Sequence, residues 1–434
     1  MLANLTNGSN LTCPNVNDAN FLNRITDVTL LIYPCVMIVF GTISNSITFI
    51  VLTRPRLRRS STFFYLSCLS IIDLVLLYTF CINLIFYYHF NIDLQDTNLI
   101  FCKIYSFLIY FLPQLSAWTC VAVSLDRVIG VIFSVKGRYA SAARKWNTPR
   151  KAFQVIFVIF LLLFLLNIQF FFYPNGSEFI DPEIKEKDVN LIYCSLENHP
   201  NLDSRKFYEI WVYLDLSMNV LIPFGIMIIS SVIIVYGIFK STKNLANTLS
   251  QETARPIEDR RCSYPQIRPK STNSNNSQSD PLVKNRKSYN FIKRASTAFN
   301  TSFSSKARSV SYMLATNNIV FISLTLPIVV FLSVATPLDK IICDYEKYKM
   351  RLIKVMCIIL MNSNCTVNIF IYSFMASEFR HQLFELIDAL MTCILGPKAN
   401  LITKKFSRKT DKKSIRHSSG DYHEIHSKRA SSSK

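Results

Sequence analysis

The stretch IYSFLIYFLPQLSAWTCVAVSLDRV, residues 104–128, decides how this chain folds. Ile104–Leu125 carries no charge, and Asp126 and Arg127 follow it directly. A helix that crosses the hydrocarbon core of a bilayer needs about 20 mostly apolar residues. The stretch therefore predicts a membrane-spanning helix that ends in a charged pair at one membrane face.

Six further blocks have the same apolar character. The chain has 434 residues, of which 50% are hydrophobic and 18% are charged, whereas a typical soluble domain carries roughly a quarter charged residues. Core helices of a large soluble protein therefore explain the blocks poorly. We expect an all-α membrane protein with a bundle of seven transmembrane helices. The other six blocks are Val28–Leu52, Thr62–Tyr88, Ala152–Tyr173, Phe207–Phe239, Ser309–Pro337 and Leu352–Phe374.

The charges orient these blocks in the membrane. The net charge is +20, and basic residues fill the loops after the first and third blocks, while acids fill the loops after the second and fourth. Lys and Arg mark cytoplasmic loops, so we expect the N-terminus outside and a multi-pass plasma-membrane protein. The start of the chain lacks the pattern of a cleavable signal peptide. Four glycosylation sequons lie on the predicted outer side, at Asn4, Asn7, Asn10 and Asn175.

The composition divides the chain into three parts. Residues 1–27 are predicted to be a glycosylated extracellular N-terminus, and residues 28–390 the seven-transmembrane domain. Within that domain, 240–308 is rich in Ser, Asn, Lys and Arg and reads as a disordered cytoplasmic loop. Residues 391–434 read as a disordered basic tail. Before the tail, the apolar residues of Glu378–Met391 share one helical face, which predicts a short amphipathic helix on the membrane lipids.

The inner segments contain candidate modification sites. Cys393 follows the amphipathic helix and could be palmitoylated, or it is simply a free cysteine. Ser263, Ser296 and Ser431 follow basic residues and resemble substrates of basophilic kinases. A solvated basic linker explains each of these serines equally well.

Polar residues inside the blocks are costly in a bilayer and are usually functional. Asp73 lies in the middle of the second block and needs partners. Asn45, Ser116, Asn364 and Asn368 could supply them, with water or a sodium ion. No Cys/His metal spacing occurs, so a structural sodium ion is the single cofactor candidate.

The pair Asp126–Arg127 adds a second feature, because an adjacent carboxylate can hold an arginine until another partner competes for it.

Together with Cys102, Cys194, Pro223 and Pro327, four motifs resemble the rhodopsin-like (class A) G-protein-coupled receptors over roughly Thr29 to Ile387. The run NSNCTVNIFIY, residues 362–372, is similar to invertebrate FMRFamide-like neuropeptide receptors. The four motifs are GTISN (41–45), LSIID (69–73), SLDRV (124–128) and NIFIY (368–372).

The resemblance implies a receptor and not an enzyme, with an extracellular ligand, a heterotrimeric G protein, arrestin and receptor kinases as partners. Arg127 would engage the G protein, Pro223 and Pro327 would bend the fifth and sixth helices, and Tyr372 would swing inward on activation. Asp73 and its neighbours match the family's sodium pocket. Cys102 would form a disulfide with Cys194.

Several positions depart from the family pattern. Thr325 stands where an aromatic switch is usual, Ile369 replaces a proline, and Ser231 replaces a tyrosine. The fourth block has no tryptophan, and no acid near Lys306–Val310 could pair with Arg127. These changes leave the predicted fold secure and suggest looser control of the resting state.

Two outer cysteines remain once the family disulfide is assigned. Cys13 and Cys343 face an oxidising compartment. We predict that they form a second disulfide, which would join the N-terminus to the third outer loop; two free thiols are the alternative.

The outer surface is acidic and suggests a cationic ligand. Asp215 or Glu209 could bind the arginine of a peptide bidentately, for example near an amidated C-terminus. Gln114, Trp211 and Lys354 are further candidate lining residues. The plainer interpretation is solvated loop charge and an aspartate bonded within the bundle.

Other functions fit the sequence less well. A receptor of the same fold for a lipid or small metabolite is the main alternative to a peptide receptor. A transporter would favour repeats and helices broken by Gly or Pro, but the sequence shows no repeat and few glycines. A membrane hydrolase would need a deep metal or base cluster, and no histidine lies deep in a block. Nucleic acid is not an expected partner, because the basic residues lie on the cytoplasmic side of a membrane, where anionic lipid and G protein explain them.

Overall fold

A computed structural model describes residues 16–135, 147–172, 177–178, 192–193, 202–254, 309–331 and 343–395. Within these ranges, seven helices are long and apolar enough to cross a membrane. The predicted all-helical, seven-span architecture is therefore confirmed. The first four spans are Val16–Leu52, Ser61–Phe90, Leu99–Val135 and Pro149–Asn167, the last extended by a 3₁₀ turn at Ile168–Phe171.

The fifth span contains an irregular turn. It runs as an α-helix over Leu202–Leu216, as a π-helical turn over Ser217–Leu221 and as an α-helix again over Ile222–Ala254. The sixth span is Ser309–Phe331 and the seventh is Asp344–Met375.

Two outer loops carry short elements. A single helical turn, Leu94–Thr97, follows the second span, and the Asp93 side chain caps it by accepting from the Gln95 backbone N–H. After the fourth span, Ser177–Glu178 pairs antiparallel with Ile192–Tyr193.

The first and fifth helices extend furthest beyond their apolar blocks. The first begins at Val16, twelve residues before the predicted start at Val28, with Asp18 in its first turn, where a negative charge favours the helix dipole. The fifth continues to Ala254, so residues 240–254 are helical where a disordered loop was expected. Extending an existing helix costs far less than starting one, which explains why both helices continue past the apolar block.

The second and third spans form the core of the bundle. The first span packs on the second and seventh, and the third packs on the second, fourth and fifth. Buried Phe107, Phe111, Phe170 and Trp211 belong to one cluster, to which the second, third, fourth, fifth and seventh spans contribute. The fourth span exposes large apolar side chains such as Phe157, which is the face expected toward lipid.

The helix after the seventh span, Ser377–Leu395, belongs to a separate C-terminal unit that begins at Ser377. It is longer than the predicted Glu378–Met391. Phe384, Ile387 and Met391 are exposed, and their spacing lies along one helical face as an amphipathic surface helix requires.

Gly41 allows the first and second spans to approach closely. A Cβ atom at this position would overlap the buried Leu77 side chain and would touch Thr366 of the seventh span at 3.3 Å. A Cβ atom added at Gly225 in the fifth span would meet open space. The two glycines therefore form a matched pair for testing the packing.

We expect Gly41→Ala to lower the free energy of unfolding by about 1–3 kcal/mol, because the added methyl group overpacks this contact. Gly225→Ala should leave stability unchanged or raise it by up to about 1 kcal/mol through helix propensity. Thermal unfolding of the purified protein in detergent measures both. A Gly41→Ala protein as stable as Gly225→Ala would contradict the packing described here.

Candidate functional site

Asp73 joins three spans through its carboxylate. The Ser116 hydroxyl of the third span donates to Oδ1 at 3.0 Å, and the Asn368 amide of the seventh donates to Oδ2 at 2.8 Å. The Asp73 side chain is almost completely buried. Two of the four predicted partners therefore contact Asp73 directly.

A cavity of about 10 Å³ adjoins this carboxylate, which is room for one water molecule or monatomic ion. Its lining includes carboxylate, hydroxyl and amide oxygens, which are the ligands that hard cations prefer. The residues thus fit the sodium ion implied by the family, whose charge would neutralise Asp73. The polar lining residues are Asp73, Ser116, Asn317, Asn364 and Asn368.

Asn317 is a member of this site that the sequence analysis missed. It lies on the sixth span and is 5% exposed. It could have been found, because Asn317 and Asn318 are consecutive amides inside an uncharged block. Through Asn317, the sixth span contributes to the same cavity as the second, third and seventh spans.

Asn45 does not bind Asp73, which corrects the expectation from sequence. Its amide donates to the backbone oxygen of Cys365 at 2.8 Å and to that of Gly41 at 3.0 Å. The first and seventh spans pack closely here, so the amide meets a backbone carbonyl before it can reach the Asp73 carboxylate. Asn45 therefore connects these two spans.

Arg127 contacts its neighbour Asp126 at the inner end of the third span, as expected. Its Nη2 and Nε donate to Asp126 Oδ2 at 2.7 and 3.2 Å. The Ser61 and Thr62 hydroxyls donate to the same carboxylate at 2.8 and 2.9 Å. The start of the second span therefore holds Asp126, and Asp126 holds Arg127.

Asn318 forms a second inner contact that the sequence analysis did not predict. Its amide nitrogen donates to the Ser124 hydroxyl of the third span at 2.9 Å and to the Ser231 hydroxyl of the fifth at 3.0 Å. Asn318 is 2% exposed. The neutral Asn318 side chain thus joins the sixth span to the third and the fifth. Its contact with Ser124 lies about one helical turn from Arg127. Ser231, noted only as a departure from the family, takes part in this contact.

The remaining candidates for activation and modification occupy the expected helices. Tyr372 is buried on the seventh span, and Pro223 is buried just after the π-helical turn of the fifth. Pro327 lies within the sixth span, near its last described residue. Cys393 is an exposed free thiol.

The outer side contains two disulfide-bonded cysteines, Cys102 and Cys343. Their predicted partners, Cys194 and Cys13, lie outside the described residues, so the pairing stays a prediction. The glycosylation and phosphorylation candidates also lie outside them; these are Asn4, Asn7, Asn10, Asn175, Ser263, Ser296 and Ser431.

Arg351 joins three outer helix ends, a contact that the sequence analysis missed. Its guanidinium donates to Asp27 Oδ1 at 3.0 Å, to the Tyr88 hydroxyl at 3.2 Å and to the Asn23 side-chain oxygen. Asp27 and Asn23 belong to the part of the first helix that precedes its apolar block. The contact therefore fastens this extension to the second and seventh spans.

The ligand candidates occupy different environments. Asp215 is half-buried and accepts from the Gln114 amide at 2.8 Å. Trp211 is 3% exposed and packs in the aromatic cluster, whereas Lys354 is exposed. Glu209 lies in the fifth span, but its side chain is outside the described part.

We expect sodium to stabilise the fold through the Asp73 cavity. Replacing choline chloride by sodium chloride at equal ionic strength should raise the melting temperature of the purified protein, and Asp73→Asn should abolish that rise, because the site loses its charge. Asn317→Leu should weaken it. The control is Thr119→Val, whose buried hydroxyl donates only within its own helix, to Leu115. A sodium-dependent rise that persists in Asp73→Asn would exclude the cavity as the sodium site.

Comparison with known proteins agrees with this geometry. The family profile described as "7 transmembrane receptor (rhodopsin family)" matches residues 44–372. A segment of 142 residues is 30% identical to the protein named FMRFamide peptide receptor frpr-18 of Caenorhabditis elegans, covering 32% of this chain and 31% of the relative. The chain therefore belongs to the rhodopsin family of seven-transmembrane receptors.

Proposed function

We propose that this receptor responds to a cationic, amidated neuropeptide. Membership of the rhodopsin family already implies an extracellular ligand and a G protein. The observation that carries the peptide is the similarity to a protein named as an FMRFamide peptide receptor. That match spans less than a third of either chain, so the ligand class is an inference about this chain.

Charge and residue identity support a cationic peptide. Between residues 174 and 206, seven acids oppose four bases, and an acidic surface speeds the encounter with a cation. Ile109 stands where family receptors for amines carry an aspartate, and Asn362 stands where opsins carry the retinal-binding lysine. The residues at these two positions argue against an amine ligand and against retinal.

In the proposed mechanism, the ligand binds the active arrangement better and shifts the population toward it. The sixth span then leaves the third at the inner face, and Arg127 exchanges Asp126 for the G protein. Pro223 and Pro327 bend their helices, since a proline removes a backbone hydrogen bond. Tyr372 moves inward. Receptor kinases would phosphorylate the inner segments, and arrestin would bind them in that form. A palmitoyl group on Cys393 would anchor the last helix.

The contact of Asn318 supports a specific proposal for the resting state. The sequence places no acid near Lys306–Val310 to hold Arg127. Asn318 instead bonds Ser124 and Ser231, and it must leave at least one of them if the sixth span moves away. We therefore assign to Asn318 the role of holding the resting arrangement.

The peptide hypothesis predicts a dose-dependent response to amidated peptides in cells that express the receptor, measured as calcium and cyclic AMP together. Phe-Met-Arg-Phe-amide is the first probe. Arg127→Ala should abolish the response at unchanged surface expression, because the G protein loses its proposed contact. Arg150→Ala, which removes an exposed arginine at the start of the fourth span, is the matched control and should respond normally. Silence of the unmutated receptor toward a panel of amidated peptides would favour a lipid or small metabolite.

The Asn318 proposal predicts raised signalling without ligand. Each hydrogen bond between membrane helices contributes about 0.6 kcal/mol and at most about 1.7 kcal/mol. Asn318→Leu removes the bonds to Ser124 and Ser231, which are worth about 1.2 kcal/mol together at the average value, so ligand-free nucleotide exchange should rise about eightfold. Thr119→Val is again the control and should not change it. Unchanged ligand-free exchange in Asn318→Leu would refute this role.

A further inference from the structure

A chain of hydrogen bonds crosses the third, fourth and fifth spans. The Asn167 amide nitrogen donates to the Leu163 backbone oxygen and to Gln114 Oε1, both at 2.8 Å. The Gln114 amide nitrogen then donates to Asp215 Oδ1 at 2.8 Å. Gln114 and Asn167 are fully buried. This series of hydrogen bonds thus runs from the Leu163 backbone carbonyl to the Asp215 carboxylate.

The orientation of both amides in this series of hydrogen bonds is fixed by its first acceptor, the Leu163 carbonyl. The Leu163 carbonyl can only accept, so Asn167 must present its NH₂ group, which also faces Gln114. Gln114 must then turn its oxygen to Asn167 and its NH₂ group to Asp215. Rotating either amide by half a turn would place donor against donor or acceptor against acceptor. Asp215 is therefore held as an acceptor in a defined position.

The Asp215 carboxylate lacks a cationic partner within the described part of the chain. No described Lys, Arg or His nitrogen lies within 4.0 Å of it. A carboxylate has about four acceptor positions, and Gln114 occupies one. An ionisable side chain inside a membrane domain is costly without a partner and usually marks a functional site.

The fifth span is irregular next to Asp215. The π-helical turn Ser217–Leu221 begins two residues later, and such turns are frequent at functional sites. The Trp118 indole nitrogen of the third span donates to the Met218 backbone oxygen at 2.9 Å. The irregular turn is therefore supported from the same helix that carries Gln114.

Aromatic rings pack one turn above the carboxylate. The Trp211 ring lies edge-on to Tyr110 and Phe170, with ring centroids 5.9 and 5.1 Å away, and the latter two rings stack at 4.7 Å. Trp211 and Phe170 are buried and support this turn of the fifth span, whereas Tyr110 is half-buried. A carboxylate with a partly open ring nearby suits a guanidinium group, which forms bidentate hydrogen bonds and stacks on rings.

We infer that Asp215, positioned by Gln114 and Asn167, is the subsite for an arginine guanidinium of the ligand. This inference rests on the proposed function and adds to it which group of the peptide is recognised and by which residues. Asp215 makes the contact; Gln114 and Asn167 are positioning residues that never touch the ligand.

The test compares Phe-Met-Arg-Phe-amide with the same peptide carrying citrulline, the neutral isostere, in place of arginine. The readout is the concentration that gives half-maximal nucleotide exchange in membranes of known receptor content. We expect the unmutated receptor to prefer the arginine peptide by about 30-fold or more, since losing one partner of a buried charge pair has effects of this size. Asp215→Asn should reduce that preference to within about threefold.

The positioning residues are tested by the same ratio. Gln114→Leu and Asn167→Leu should each reduce the preference for arginine, because the carboxylate loses its fixed position. Gln169→Leu changes a glutamine two residues from Asn167 that is outside the hydrogen-bond chain, and it should retain the full preference. A purely structural defect would weaken both peptides equally and leave the ratio unchanged.

The outcomes separate this inference from the proposed function. If the unmutated receptor responds equally to both peptides, or if Asp215→Asn retains the preference, the subsite is refuted and the peptide receptor stands. If the unmutated receptor ignores the whole panel of amidated peptides at confirmed surface expression, the proposed function fails, and this inference fails with it.

Discussion

The two hydrogen bonds that Asp73 accepts from Ser116 and Asn368 are the contacts on which the arrangement of the spans depends. Hydrocarbon offers no hydrogen-bond partner to a polar group. A buried carboxylate must therefore draw its partners from neighbouring helices, and in doing so it sets the relative position of the second, third and seventh spans. Asn45 acts in the same way between the first span and the Cys365 carbonyl of the seventh.

The inner half of the bundle uses neutral contacts where a charged contact is usual in the family. Asn318 connects the sixth span to Ser124 and Ser231 without any ion pair, while Asp126 keeps Arg127 on its own helix. A neutral amide avoids the desolvation cost of a buried charge. This explains physically how the chain can lack both the family's acid in the sixth span and its tyrosine in the fifth.

The outer half has two polar centres of different character. Arg351 has its counter-charge in Asp27, and this contact ties the long first helix to the second and seventh spans. Asp215, on the third, fourth and fifth spans, has a fixed amide neighbour but no cation among the described residues. The Arg351 charge is paired with Asp27, whereas the Asp215 carboxylate has further acceptor positions, which our proposal assigns to a ligand. This contrast between two half-buried charged residues is the basis for assigning ligand recognition to Asp215.

The sequence alone determined the seven spans and the family, because apolar length and the spaced motifs are local features of the chain. The placement of basic loops predicted the orientation of the spans. The sequence also identified Asp73, Ser116, Asn368 and the pair Asp126–Arg127, since polar residues inside apolar blocks are conspicuous. It did not determine which polar residues meet. Asn45 was expected near Asp73 and bonds Cys365 instead, and Asn167, Asn317 and Asn318 were overlooked. Those pairings depend on how neighbouring helices are rotated and how closely they approach, at Gly41 and at the π-helical turn, and only packing in three dimensions decides that.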